Sequence, residues 1–172
     1  YIKVGVEVAE QATTEALNKA GLQAAEVDVI FFASVTGIAV PTIDARLMQK
    51  MGFKDTVKRY PLFGLGCVAG AAGTGRVNDY LKGHTNEVAL LVCLELCSLT
   101  FQRNDYAVSN LVSTGLFGDG CAAMLAVGSD HKAASAAKGP RVLASQSRIY
   151  PDSERTMGWD ISNTGFKIVL SS

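Results

Sequence analysis

The most reactive candidate in the sequence is Cys67, which follows Gly64-Leu65-Gly66 and opens the run Val68-Ala69-Gly70-Ala71-Ala72-Gly73-Thr74-Gly75. A Gly-x-Gly turn running into a helix sets the thiol at the helix N-terminus. There the dipole and the free N–H groups favour an anion and lower a thiol pKa. A sharp turn would also hold the sulfur clear of the local backbone, as a nucleophile requires. Read from the pattern alone, a small buried thiol in a tight core stands equally with a nucleophile. Gly70, Gly73 and Gly75 each cost about 1 kcal/mol relative to Ala inside a helix, so the helix is expected to be central and buried, recovering that energy by close approach of another element. The glycine spacing fits neither a phosphate loop nor a dinucleotide fingerprint. Metal chemistry is not expected. Cys93 and Cys97 are four residues apart, while His84 and His131 sit in polar, loop-like contexts.

The elements that would position Cys67 alternate in type. An apolar stripe at Val4, Val8, Ala12, Ala16 and Ala20, widened by Leu17 and stopped by Gly21, predicts a helix over residues 4–20. Residues 27–33 read as a strand buried on both faces. Residues 34–40 read as a loop, and Pro41 as the first turn of a helix closed by Gly52. An extended piece over 57–62 leads into the Gly-x-Gly connection and a helix over about 68–81. The strongest strand signal is Val88 to Leu96. A helix is expected over 105–112, a turn at Gly118-Asp119-Gly120, a strand over 121–127 and a linker over 129–139. Further strands are expected over 141–149 and 166–170. Alternation of this kind predicts an α/β layer fold, with a mixed sheet toward the end of the chain.

Composition narrows the function classes. The 172 residues carry 16 basic and 16 acidic side chains, with 48% apolar and 19% charged residues. That is too apolar for a disordered chain, and the zero net charge argues against nucleic acid or an anionic membrane as partner. No apolar run approaches the roughly 20 residues of a spanning helix, so no integral membrane segment is expected. The four cysteines lack a close C-x-x-C pair, which suits free thiols in a reducing cytoplasm.

The chain resembles the type III polyketide synthases, the chalcone synthase-like branch of the thiolase superfamily. The residues that carry the likeness are Gly64-Leu65-Gly66-Cys67-Val68-Ala69-Gly70, Glu95-Leu96-Cys97-Ser98-Leu99-Thr100-Phe101, Leu116-Phe117-Gly118-Asp119-Gly120-Cys121-Ala122-Ala123 and Tyr150-Pro151-Asp152-Ser153. The pieces Thr156-Met157-Gly158-Trp159-Asp160 and Thr164-Gly165-Phe166 are similar to the bacterial branch that makes alkylresorcinols and alkylpyrones. The resemblance implies a thiolase-like α-β-α layered fold, incomplete in this chain. It implies an acyl-CoA starter loaded on a cysteine and extended by decarboxylative Claisen condensation with malonyl-CoA. By that resemblance Cys67 is the acyl-carrying nucleophile and Phe117 the aromatic gate. Phe166 is a second cavity phenylalanine, and Thr100, Cys97, Ser113 and Thr36 line the cavity. Coenzyme A thioesters are substrates, no cofactor is implied, and the family forms homodimers.

Two departures bear on the starter. Val40 stands where plant members place a methionine that crosses the dimer interface, and Cys97 where they usually have threonine. Both suggest an opened apolar tunnel and a fatty acyl starter. The family's catalytic histidine and asparagine have no counterpart, and neither His84 nor His131 has the expected setting. Residues 1–172 are accordingly expected to be the central part of a longer enzyme, mostly its N-terminal half-domain with the start of the C-terminal half. Alone, the chain would not extend an acyl group. Two other readings stay open: a ketoacyl synthase III-like condensing enzyme, and a non-catalytic packing or dimerisation piece.

Overall fold

The computed structural model describes residues 1–171. Its centre is a four-stranded sheet in the order β2-β1-β3-β4, formed by β1 (Val29–Ala33), β2 (Lys58–Leu62), β3 (Val88–Leu96) and β4 (Asp119–Val127). The first three strands are parallel, and β4 runs antiparallel to β3, with Val88 opposite Val127 and Leu96 opposite Asp119. Alternating side chains of β1 and β3 serve two cores. Ile30, Phe32, Leu90, Val92 and Leu94 face α1 (Ile2–Ala20) and α2 (Ile43–Met51). Val29, Phe31, Ala89 and Leu91 face α3 (Ala69–Gly83). The result is the expected α-β-α layering. Strands covered on both faces read as continuous apolar runs, which is why β1 and β3 stand out in the sequence.

Several expectations need correction. The buried stripe of α1 is Gly5, Ala9, Thr13 and Leu17, one residue round from the predicted one, and Val4 is exposed. Small residues on that stripe let the helix lie close to the sheet: a Cβ on Gly5 would stand 3.0 Å from Leu94 Cδ2. Residues 141–149 form no strand and are exposed. Asp119 and Gly120 belong to β4 itself. The fourth helix, α4 (Val108–Leu116), starts later than predicted. Its approach is held by Asp105, whose Oδ1 accepts the Ala107 N–H at 2.9 Å, and by the Asn110 carboxamide, which donates to the Gln102 and Asp105 carbonyls. An unpredicted strand, β5 (Met157–Ser162), pairs with β6 (Gly165–Leu170) across the two-residue turn Asn163-Thr164.

Helix α3 is buried on one face only. Gly73 accepts the Leu91 side chain so closely that a Cβ would come within 2.7 Å of it, and Gly75 abuts Ser145. Gly70 is exposed and meets nothing within 4 Å. The close-approach argument therefore holds for Gly73 and Gly75 and fails for Gly70.

Candidate functional site

Three parallel strands deliver their C-terminal ends to one end of the sheet, and antiparallel β4 begins there. Segments far apart in sequence meet as a consequence: residues 34–36 after β1, 63–67 after β2, 97–100 after β3, and Phe117 to Gly120 entering β4. The turn after β2 depends on glycine. Gly64 has φ 85° and Gly66 φ 54°, in the left-handed region that side chains disfavour. One 3-10 turn, Gly66–Val68, follows and passes into α3. Cys67 lies in that turn and is exposed.

Two cavities open at this end. Cys67, Ala69, Cys93, Glu95 and Ala122 contribute to the smaller, of about 380 Å³. The larger, of about 600 Å³, is bounded by Cys97, Thr100, Asn110, Ser113, Phe117 and Trp159, among others. Cys97 borders the larger cavity only. Burial pushes its thiol up, and the neighbouring Glu95, Asp119 and Cys67 add to that. Burial likewise raises Cys93, and it takes Cys121 up to about 12. These three half-buried thiols are poor nucleophiles at neutral pH.

Glu95, which shares the lining of the smaller cavity with Cys67, organises the loop after β1. Its Oε2 accepts the Thr36 hydroxyl at 2.8 Å and the Thr36 N–H at 3.1 Å, and the Val35 N–H reaches both carboxylate oxygens at 3.1 and 3.2 Å. Burial nevertheless holds the Glu95 carboxyl above its ordinary value, the hydrogen bonds working against that. Asp119 plays the matching part for the turn after β3: its carboxylate accepts the Ser98 N–H at 2.8 Å and the Ser98 hydroxyl at 2.6 Å.

The expected site residues divide. Cys67 borders the smaller cavity, and Cys97, Thr100, Ser113 and Phe117 the larger. Thr100 donates to the Cys97 carbonyl at 2.8 Å, and Ser113 to the Asn110 carbonyl at 2.9 Å, so both hydroxyls also have structural partners. Thr36 borders neither cavity; its hydroxyl is taken up by Glu95 and by the Leu96 N–H at 2.8 Å. Phe166 stands one ring behind the wall, against Trp159. Val40 is 88% exposed and borders neither cavity, so it opens no tunnel within this chain. His84 caps α3 and stacks on Tyr80, while the His131 ring nitrogen accepts the Ala133 N–H. Neither imidazole borders either cavity.

Trp159, Asn110, Glu95 and Asp119 escaped sequence reasoning as site residues. The alternation Met157, Trp159, Ile161 was the available signal for a strand that would aim Trp159 inward. Its ring sits T-shaped against Phe117 at 6.0 Å and Phe166 at 6.2 Å. The arrangement offers an exposed thiol on the smaller cavity, with a larger cavity of mixed apolar and hydroxyl walls at the same end of the sheet, and it supplies no base to that thiol from a described histidine. Among the described residues no group of three or more His, Cys, Asp or Glu is placed to hold a metal, and no helix is long and apolar enough to cross a membrane.

Comparison with known proteins gives a consistent result. The family described as chalcone and stilbene synthases, N-terminal domain, matches residues 2–131. The chain is 48% identical over 172 residues to the 1,3,6,8-tetrahydroxynaphthalene synthase of Streptomyces peucetius subsp. caesius, covering 100% of this chain and 45% of that protein. It is 43% identical over 148 residues to a putative chalcone synthase of Bacillus subtilis (strain 168), covering 85% of this chain and 40% of that one. The crystal structure of 1,3,6,8-tetrahydroxynaphthalene synthase from Streptomyces coelicolor A3(2), a bacterial type III polyketide synthase, aligns with a TM-score of 0.91 at 34% identity, over 98% of this chain and 47% of that one. The chain thus spans about half the length of the relatives it matches.

Proposed function

Since the chain belongs to the chalcone and stilbene synthase family, we propose that it carries the acyl-accepting part of a type III polyketide synthase, with Cys67 as the nucleophile. The observation that carries this reading is the exposure of Cys67 at the start of α3, against three half-buried thiols whose pKa values are raised.

The chemistry proceeds in two balanced stages. Cys67 Sγ attacks the carbonyl carbon of an acyl-CoA; the carbon–sulfur bond to coenzyme A breaks, and the cysteine proton leaves with the CoA thiolate. Malonyl-CoA then loses CO₂. The electron pair of the broken bond attacks the Cys67 thioester carbon, forming a carbon–carbon bond and releasing Cys67. The product is a β-ketoacyl-CoA longer by two carbons, which can reload. Phe117 guards entry to the larger cavity, and Cys97, Thr100 and Ser113 contact the growing chain. Donors from the part of the enzyme outside this chain stabilise the oxyanion of each addition. Coenzyme A thioesters serve as substrates, without a resident cofactor. The protein works as a cytoplasmic homodimer, a reading supported by its free thiols and by Ile38 and Val40, exposed on one loop.

For the product, similarity to tetrahydroxynaphthalene synthase favours a hydroxylated aromatic polyketide built wholly from malonyl units. The ten ring carbons of that compound are five two-carbon units and leave no room for a long starter. The second reading, a fatty acyl starter leading to alkylpyrones or alkylresorcinols, is favoured by the Cys97 thiol in the cavity wall. Incubating the full-length enzyme with malonyl-CoA alone, and then with added long-chain acyl-CoA, separates the two. Product from malonyl-CoA alone supports the first, and strict dependence on the long thioester supports the second. Product formation by Cys67→Ala would overturn both.

A further inference from the structure

The β5–β6 hairpin supplies Trp159 to the cavity and Phe166 behind it, and β6 packs on α4. Register explains how one face reaches inward. Trp159 pairs with Ile168, which is buried, and Phe166 lies two residues along the same face.

What fastens this hairpin near the cavity is largely polar. The Gln102 side-chain N–H₂ donates to the Phe166 carbonyl at 3.2 Å and to the Thr100 carbonyl at 3.3 Å. It therefore bridges β6 and the turn after β3, whose Thr100 borders the cavity. The main-chain carbonyl of Gln102 accepts the Asn110 carboxamide at 3.0 Å, and Asn110 also borders the cavity. One residue thus ties three walls together. Gly165, with φ 108°, sets the turn beside this bridge, in a backbone conformation that side chains disfavour. The remaining charged tie is loose, with Lys167 Nζ 3.7 Å from Asp105 Oδ2.

We infer that Gln102 is a positioning residue: its carboxamide pins the β5–β6 hairpin onto the cavity and so fixes the aromatic wall of Phe117, Trp159 and Phe166. It acts only as a donor between two carbonyls, so its amide hydrogens and not its bulk are what matter. That this wall shapes a polyketide product rests on the function proposed above; the pinning of the hairpin does not.

Trp159 is the only tryptophan in the sequence, which makes it an unlabelled probe of the hairpin. The test uses the full-length protein, with tryptophan-free substitutions elsewhere if it carries others. Gln102→Glu places a carboxylate of nearly the same shape against two carbonyl oxygens. Gln102→Met keeps length without donors, and Gln102→Arg restores donors. Trp159 emission should move to longer wavelength and acrylamide quenching should rise in the order Gln102→Arg, Gln102→Met, Gln102→Glu, with Gln102→Arg close to the parent. Iodoacetamide labelling of Cys67 and Cys93 should stay unchanged, which general destabilisation would not allow. Product length from malonyl-CoA should broaden in the same order, with the main product falling by roughly tenfold relative to its neighbours, the loss expected for one or two hydrogen bonds. Emission and quenching identical to the parent in both Gln102→Glu and Gln102→Met would overturn the inference, as would Gln102→Met exceeding Gln102→Glu. If the parent enzyme makes no polyketide, the proposed function fails, while the fluorescence comparison still decides the role of Gln102.

Discussion

Replacing Glu95 by Ala removes the acceptor that organises the loop after β1. Three donors lose their partner: the Val35 N–H, the Thr36 N–H and the Thr36 hydroxyl. Stranding a buried donor costs about 1–3 kcal/mol. Glu95 is half-buried and water can enter, so the lower figure applies, and the three together come to about 3 kcal/mol. With a urea slope of about 2 kcal/mol/M, the unfolding midpoint should fall by about 1.5 M. Glu95→Gln separates the hydrogen bonds from the charge. Its amide oxygen can take the place of Oε2, which receives all three donors, while its amide nitrogen replaces Oε1 and loses only the Val35 N–H contact there, so it should cost about 1 kcal/mol, clearly less than Glu95→Ala. The pH dependence follows from the same pair. Burial holds the Glu95 carboxyl above its ordinary 4.5, so the native state binds this proton more tightly than the unfolded chain does. Its contribution is complete below the unfolded value and is lost as pH rises through the raised folded value. Stability relative to Glu95→Gln should therefore decline across that window. The reasoning is refuted if Glu95→Ala shifts the midpoint by less than about 0.3 M, or if Glu95→Gln loses as much as Glu95→Ala.

Iodoacetamide at neutral pH should modify Cys67 well before Cys93, Cys97 or Cys121, as read by peptide mass mapping, and Cys67→Ala should abolish the fast phase. Arg59→Met should cost about 3 kcal/mol in urea unfolding, because the Asp44 side chain is fully buried and Arg59 Nε, at 2.5 Å, is its ionic partner. Asp44→Asn in the same chain should recover part of that loss. Gly73→Ala should destabilise by about 1–3 kcal/mol through overpacking against Leu91, whereas Gly70→Ala, facing open space, should stabilise by up to about 1 kcal/mol. Equal effects at the two glycines would contradict the one-sided burial of α3.

The sequence made β1 and β3 legible because burial on both faces leaves an apolar run. Val88 to Leu96 needed no knowledge of its neighbours. An apolar stretch alone misleads: Arg141 to Ile149 carries Val142-Leu143-Ala144 yet forms no strand and lies exposed. At Met157 to Ser162 the alternation is present, but Gly158 and Asp160 lower the strand propensity, and pairing with Gly165–Leu170 is what holds the strand. At the site, Cys67 was visible because the residues that set its geometry are its own chain neighbours. Trp159, Glu95 and Asp119 were not, since each acts on a segment distant in sequence: Glu95 on Thr36, Asp119 on Ser98, and Trp159 on Phe117. For α1 the apolar periodicity points one residue away from the buried stripe because Gly5 and Thr13 carry little apolar weight, although the absence of a side chain at Gly5 is what lets the helix approach the sheet.

The two margins of the central sheet are built unequally. β2 carries Lys58, Arg59 and Pro61, the kind of residues that discourage a further strand from adding. β4 presents Cys121-Ala122-Ala123-Met124-Leu125-Ala126-Val127 with neither charge nor proline, and among the described strands it pairs with β3 alone. Its outer backbone groups are therefore a template for intermolecular β-pairing. In concentrated preparations of this chain, aggregation should begin at β4. A lysine at an outward position of β4 is the substitution most suited to keeping such preparations dispersed.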